Sequence, residues 1–338
     1  MPDTTPSSKP CLGLMETAFS GNPLNRLDSA RHDPAVLADW PKRPGARLML
    51  FSGDKVLTDA DGAPVWLDPG LMDDAVSGER VFLGIDDRAD GAACFAAGLR
   101  TPDTAGKDLA AKDLAGKDLA ATLETPETGC KFRDLRSVGM KALGSGIARD
   151  ALGIMAQAKS MLDWHARHRF CANCGTPTRM TKSGYERRCD ACGAAHFPRT
   201  DPVVIMLAFH GDAALVGRSH KMPPGFYSAL AGFMEPGESI EEAVARELKE
   251  ETGVDTTSVR YVASQPWPWP SSIMIGCTAT VAGRALTLDR TEIAEARWIT
   301  KAEARTVMAG RDPDIAFPPP IAIAHDLLRH WLDDAGSL

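Results

Sequence analysis

The sequence is poor in aromatic residues, has no long apolar run and carries no excess of positive charge. Phe, Trp and Tyr make up 6% of its 338 residues, and only three are tyrosine, so any local concentration of rings is informative. No run approaches the roughly 20 apolar residues that a membrane-spanning helix needs. The first 30 residues lack a basic stretch leading into an apolar one, so neither an anchor nor a signal peptide is expected and the chain reads as cytoplasmic. Lys and Arg number 38 against 45 Asp and Glu, a net charge of −7. That balance excludes generic nucleic-acid affinity through phosphate neutralisation as the main activity. Positive charge gathers only locally, at His165, Arg167, His168 and Arg169 and again at Arg187 and Arg188. With 44% hydrophobic and 25% charged residues, the composition is that of a globular protein. The length allows two domains and a small third module.

Cysteines are few and unevenly placed. Cys11, Cys94, Cys130 and Cys277 are scattered, whereas Cys171, Cys174, Cys189 and Cys192 form two pairs, "CANCG" and "CDACG", fourteen residues apart. Two such knuckles complete a tetrahedron of thiolates around Zn²⁺. The alternatives are two disulfides, which a reducing compartment disfavours, or a redox centre, which needs one pair rather than two. Four thiolates leave no open coordination position, so this zinc is expected to be structural.

Along the chain, "RLMLF", "KVLT", "APVWLD" and "RVFLGI" predict strands in an N-terminal mixed domain over residues 1–165. "KDLAAKDLAGKDLAA" (107–121) repeats a five-residue unit, a period that matches neither helix nor strand. It predicts a surface insertion over about 105–122, disordered or transiently helical. Helical periodicity returns between about 146 and 168 and leads into the ribbon, 168–197. A third unit, 198–338, begins with a buried strand "VVIMLAF" and a hairpin to "ALVGR", and closes with a helix near 321–333 after three prolines.

Within that unit, "RELKEET" packs three glutamates and an arginine into seven residues. On a helix Glu247, Glu250 and Glu251 fall within an arc of roughly 100°, where like charges repel. Ser239 and Glu242 predict a capping box, and Gly253 a left-handed C-terminal stop. Val244 and Leu248 supply a packing stripe. Arg246, four residues from both Glu242 and Glu250, is placed to tie them. An exposed, solvated acidic face is the common explanation for such a stretch. The flanks point elsewhere: Gly232-x5-Glu238-x7-Arg246-Glu247-Leu248-x-Glu250-Glu251-x-Gly253-Val254 resembles the Nudix box at every defining position.

That resemblance implies a mixed α/β sandwich (α+β, with a mixed sheet) whose glutamates hold Mg²⁺ or Mn²⁺ against a substrate diphosphate. Glu247 and Glu251 would be the main ligands, with Glu250 ligating or acting as base. The backbone carbonyl of Ala231 and a later glutamate would join them. Glu292 best matches that later position, and Glu295 is its rival. Hard divalent cations favour such oxygen donors, and the identity of the base stays open.

Further on comes "SQPWPWPSS" (264–272), in which prolines fence two tryptophans at i and i+2. Prolines exclude a central strand, so a loop or edge is expected, with rings suited to stacking on a base. The segment resembles the SQPWPFPxS signature of NADH pyrophosphatases, the NAD(+) diphosphatase branch of Nudix enzymes, with Trp269 in place of phenylalanine. The ribbon, "HFPRTDP" and "LAGFMEPGES" are similar too, so the likeness covers about 132–338. It implies that Gln265, Pro266, Trp267, Pro268, Trp269, Pro270, Ser271 and Ser272 line a substrate pocket with Phe197, Ala324 and Arg136. It also implies a homodimer, and hydrolysis of NADH or NAD⁺ to NMN(H) and AMP. The alternatives are NAD-cap removal from RNA, which cleaves the same bond, and a ribbon-based nucleic-acid or protein-binding module with a vestigial Nudix fold.

Overall fold

The computed structural model describes residues 16–72, 76–99, 119–124, 129–145 and 149–333. Most of the five-residue repeat lies outside them. Its last residues do not: residues 119–123 are helical, and Leu119, Ala120 and Leu123 pack against the core of the first sheet. Glu124 Oε1 then accepts a 2.7 Å hydrogen bond from the Phe132 N–H. The expected surface insertion is therefore corrected at its C-terminal end, where leucines anchor the chain.

The first sheet is built from β1 (Arg47–Ser52), β2 (Lys55–Thr58), β3 (Trp66–Leu67), β4 (Val76–Asp86), β5 (Ala92–Leu99) and β6 (Lys131–Asp134), in the order β4-β5-β1-β2-β6 with β3 on β1. In β1, Leu48 and Leu50 face one core while Met49 and Phe51 face the other. A strand covered on both sides reads as a continuous apolar run, because successive side chains alternate between faces. The helix Arg149–Arg167 covers one face with Leu152, Met155, Ala156 and Met161.

A three-stranded ribbon follows: β7 (Arg179–Thr181), β8 (Glu186–Arg188) and β9 (Ala195–His196). It is fastened to the long helix through buried polar bonds. Arg187 Nη1 donates to His165 Nδ1 at 2.9 Å, and His165 Nε2 lies 2.8 Å from the Gly184 carbonyl, to which it donates. Part of the local basic cluster is thereby used in joining the ribbon to the helix.

The second sheet contains β10 (Asp201–His210), β11 (Ala213–Ser219), β12 (Leu230–Phe233), β13 (Thr256–Trp267), β14 (Ser272–Val281) and β15 (Ile293–Thr300), ordered β13-β14-β10-β11-β15 with β12 on β10. Its pattern repeats that of the first sheet, strand for strand. A parallel pair lies at the centre (β1 with β5, β10 with β14), a hairpin partner follows, and an antiparallel strand closes each end. The copies differ between their third and fourth strands. There the second copy inserts the helix Ile240–Thr252, whereas the first has, among the described residues, only the short 3-10 helix Pro69–Met72. Val204, Met206 and Ala208 of β10 pack toward that helix, and Ile205, Leu207 and Phe209 toward the helices Lys301–Met308 and Ile323–Asp333. The unit is a mixed α/β sandwich. Among the described residues, no helix is long and apolar enough to cross a membrane.

Candidate active site

The helix Ile240–Thr252 starts on the expected capping box. The Glu242 N–H donates to Ser239 Oγ at 3.2 Å, and the Ser239 N–H donates to Glu242 Oε2 at 2.8 Å. It stops at Gly253, whose φ of 76° is left-handed, a conformation that costs glycine little. With Glu242 used in the cap, Arg246 does not tie it, contrary to the sequence expectation. The guanidinium instead holds Glu238 through two bonds (2.5 and 3.0 Å), Glu247 Oε1 at 2.7 Å, Glu250 Oε2 at 3.0 Å and the Phe233 carbonyl at 2.9 Å. One planar fork thus links the helix to the loop before it. Glu238 is pulled down to about 2 by these bonds.

Ala231, Gly232, Phe233, Glu235, Lys221, Arg246, Glu247, Glu250, Glu251, Asp289 and Glu292 line a cavity of about 760 Å³. Glu251 is 6% exposed, and its Oε2 has no hydrogen-bond partner. Burial, followed by the charges of Glu247, Glu292, Asp289 and Glu250, pushes it up to about 8. Glu247 is also raised, chiefly by burial and against the pull of Arg246. Buried carboxylates that face each other are costly unless a cation joins them. An all-oxygen set around an unpartnered buried carboxylate oxygen fits a hard divalent ion. These carboxylates are spread more widely than the ribbon thiols, the one set of possible ligands among the described residues with all its atoms within 4.8 Å of one another.

The loop geometry separates the two rival glutamates. Glu292 lines the cavity. Glu295 lies on β15, where Arg218 Nη2 (2.7 Å) and Tyr227 OH (2.6 Å) both donate to it. Asp289 and Lys221 also line the cavity and were not singled out from the sequence. Asp289 opens the stretch "DRTEIAEARW", and that position was its only available signal; Lys221 offered none.

A second cavity, apolar and of about 540 Å³, is lined by Arg136, Trp267, Gln265 and Ala324 among others. The consecutive residues Lys221 and Met222 line one cavity each. β13 is an edge strand, so its residues alternate between two sides. Gln265 and Trp267 face the apolar cavity, whereas Ser264 and Pro266, with Ser271 and Ser272, line a separate cleft beside the ribbon. Pro268 and Pro270 flank Trp269, whose ring centroid is 4.8 Å from that of Trp267. The Arg136 guanidinium sits over both rings, 4.6 Å from Trp269 and 5.9 Å from Trp267. Gln265, fully buried, is spent on backbone bonds to Ala18, Ile321 and Ile323. Phe197 is not brought to this cavity; it is 60% exposed on the ribbon side, 5.7 Å from Lys182 Nζ.

In the ribbon, Cys171 Sγ lies 3.6 Å from Cys192 Sγ, and Cys174 Sγ lies 3.5 Å from Cys189 Sγ. These distances are well beyond a disulfide bond. The Gly175 and Gly193 N–H groups fold each knuckle back onto the carbonyls of Cys171 and Cys189, both at 2.9 Å. His196 Nε2 is 3.3 Å from Cys171 Sγ.

An α/β sandwich carrying an acidic helix is the class of fold that this geometry defines, and the comparisons agree. A NUDIX domain model matches residues 198–317, an NADH pyrophosphatase zinc ribbon domain matches 166–197, and an NADH pyrophosphatase-like rudimentary NUDIX domain matches 45–164. The last match corresponds to the first sheet, the copy without the acidic helix. NAD-capped RNA hydrolase NudC of Pseudomonas putida (strain W619) is 40% identical over 193 residues, 56% of this chain and 67% of that one. The chain belongs to the Nudix family. Human NAD-capped RNA hydrolase NUDT12 is 46% identical over 191 residues, 53% of this chain and 41% of that protein. Human mitochondrial NAD(P)H pyrophosphatase NUDT13 is 35% identical over 226 residues, 63% and 64% respectively. The chain thus spans about two-fifths of the length of its primate NUDT12 relatives.

Proposed function

We propose that the protein hydrolyses the pyrophosphate bond of NAD(H), releasing NMN(H) and AMP. The observation that carries this reading is the pairing of an acidic cavity with an apolar one walled by Trp267 and Phe226, the consecutive residues Lys221 and Met222 lining one each. A dinucleotide has the matching chemistry, a diphosphate joined to a flat ring. Glu247, Glu250, Glu251, Glu292 and the Ala231 carbonyl would hold Mg²⁺ or Mn²⁺. When bound, such an ion neutralises phosphate charge and acidifies water. Arg246 orients Glu247 and Glu250. The more exposed Glu250 is placed either to ligate or to accept a proton from the attacking water at its carboxylate. Trp267 and Trp269, with Arg136 and Ala324, would hold a ring by stacking, while Gln265, Pro266, Pro268, Pro270, Ser271 and Ser272 shape the segment that presents them.

Four cysteines would hold one structural Zn²⁺. The proposed units are an N-terminal domain to residue 165, the ribbon at 168–197 and the hydrolase unit from 198. Phe197 would reach a base only across the interface of a homodimer, the assembly we propose; its 60% exposure supports this. We place the protein in the cytoplasm, where a reducing environment keeps such thiols available for zinc. Because two of the relatives are named NAD-capped RNA hydrolases, removal of an NAD cap from RNA is the second reading. A vestigial binding module is disfavoured, since the fold converges all four glutamates. Product analysis with Mn²⁺ on NADH, ADP-ribose and NAD-capped RNA tests the proposal. Release of NMNH and AMP from NADH is expected, and no cleavage of either NAD-containing substrate would refute it.

A further inference from the structure

We propose that Phe19 is a positioning residue that sets the tryptophan pair for ring recognition; this rests on the dinucleotide reading above. Residues 16–22 precede the first family match, which begins at residue 45. They nevertheless reach the proposed substrate segment. Phe19 is 2% exposed, and its ring meets Trp269 edge-on at 5.3 Å and Trp267 at 6.1 Å. The Arg136 guanidinium contacts the same two rings. Both indoles are therefore in contact with a phenyl ring and a guanidinium.

The segment is pinned on both flanks of Phe19. Thr17 Oγ1 donates to the Ser264 carbonyl at 2.8 Å, and Gln265 Nε2 donates to the Ala18 carbonyl at 3.2 Å. Asn22 Nδ2 bonds Gln157 Oε1 at 2.5 Å. The same Gln265 amide donates to the Ile321 carbonyl and accepts from the Ile323 N–H, so it joins this segment to the start of the helix that carries Ala324. Two glycines make the seat. A Cβ at Gly139 would lie 2.9 Å from Phe19 Cζ, and one at Gly153 2.7 Å from the Asn22 nitrogen. Phe19 itself is left-handed at φ 65°, a conformation that an aromatic residue keeps only where its surroundings over-determine it. What it accomplishes here is pre-organisation, because rings fixed before binding lose less freedom when a base arrives.

The test uses the full chain with Phe19→Leu, which keeps most of the volume and removes the ring edge, and with Thr17→Val as a second variant should the first fold poorly. Trp267→Ala serves as the benchmark. KM and kcat are measured for NADH and ADP-ribose at saturating Mn²⁺, and near-UV circular dichroism reports the coupled indoles. An aromatic edge contact predicts a rise of about 2- to 10-fold in KM for NADH. Less change is expected for ADP-ribose, with kcat nearly constant and an altered indole signal. An unchanged substrate ratio overturns the proposal, whatever happens to the melting temperature. If the wild type cleaves neither substrate, the dinucleotide reading fails by itself. The indole signal then decides the positioning role: a Phe19→Leu spectrum equal to wild type overturns it, and a changed one sustains it.

Discussion

Gly232 and the carboxylate of Glu247 occupy the same small space: a Cβ built on Gly232 would lie 2.0 Å from Glu247 Cδ. No side chain fits there unless the carboxylate leaves. Because the obstacle is the far end of a flexible side chain, Gly232→Ala should fold and displace Glu247 from the cavity. Turnover is expected to fall by about 100-fold, the scale of a 1 Å misplacement. The melting temperature, measured beside kcat, should change little; retained kcat would show that Glu247 can act from another position.

Glu251 makes the metal-free protein sensitive to pH. Its folded value, about 8, lies above the ordinary 4.5 because of burial and then its carboxylate neighbours. Below about pH 4.5 both folded and unfolded forms are protonated, and the full stability is present. As pH rises from there to 8, the unfolded chain releases this proton first, so stability is progressively lost. Thermal melts without divalent ions should therefore decline over this window, with a shallower slope in Glu251→Gln. Added Mn²⁺ should stabilise the wild type more at pH 8 than at pH 5. The glutamine variant should also lose more than about 100-fold in kcat, exceeding the effect of residues that only orient ligands.

Glu292→Gln and Glu295→Gln should behave oppositely. The first removes a carboxylate from the acidic cavity and is expected to weaken Mn²⁺ affinity, read as the concentration giving half-maximal rate. The second breaks bonds from Arg218 and Tyr227 on the surface and should leave that concentration within about twofold. A reversal would exchange their roles.

Cys174→Ser should abolish the ribbon's zinc, because a closed thiolate site couples metal binding to local folding. Metal analysis is expected to fall from one zinc per chain to none, with proteolytic cleavage near residues 171–192 increasing before activity is lost. Retention of a full equivalent would show that the remaining thiols, or His196 beside Cys171, suffice.

The acidic helix was legible in the sequence because its determinants are local. Cap, stop, apolar stripe and glutamate spacing all lie within 23 consecutive residues, and helix geometry converts that spacing directly into a shared face. The two CxxC knuckles were legible for the same reason. Arg246 shows where local spacing misleads. Its distance of four residues from Glu242 was correct, but the cap had a stronger claim on that carboxylate, and the loop residue Glu238 took its place.

Long-range choices belonged to the tertiary structure alone. Periodicity left Glu292 and Glu295 equivalent; only the turn before β15 sends one into the cavity and the other toward Arg218. The short strands of the N-terminal region read simply as a mixed domain, because strand pairing order is not written in any local pattern. Folded, they repeat the topology of the second sheet without its acidic helix. The tryptophan pair announced itself by composition, whereas its companions did not: Phe19, Arg136 and Trp269 are separated by more than a hundred residues in sequence, and they meet because residues 16–22, the helix Leu135–Ser145 and the segment after β13 pack on one another. Sequence by itself determined the chemistry that repeats at short range, the thiol knuckles and the carboxylate face. Packing decided which distant side chains share a cavity, since burial selects contacts by complementary shape and not by their separation along the chain.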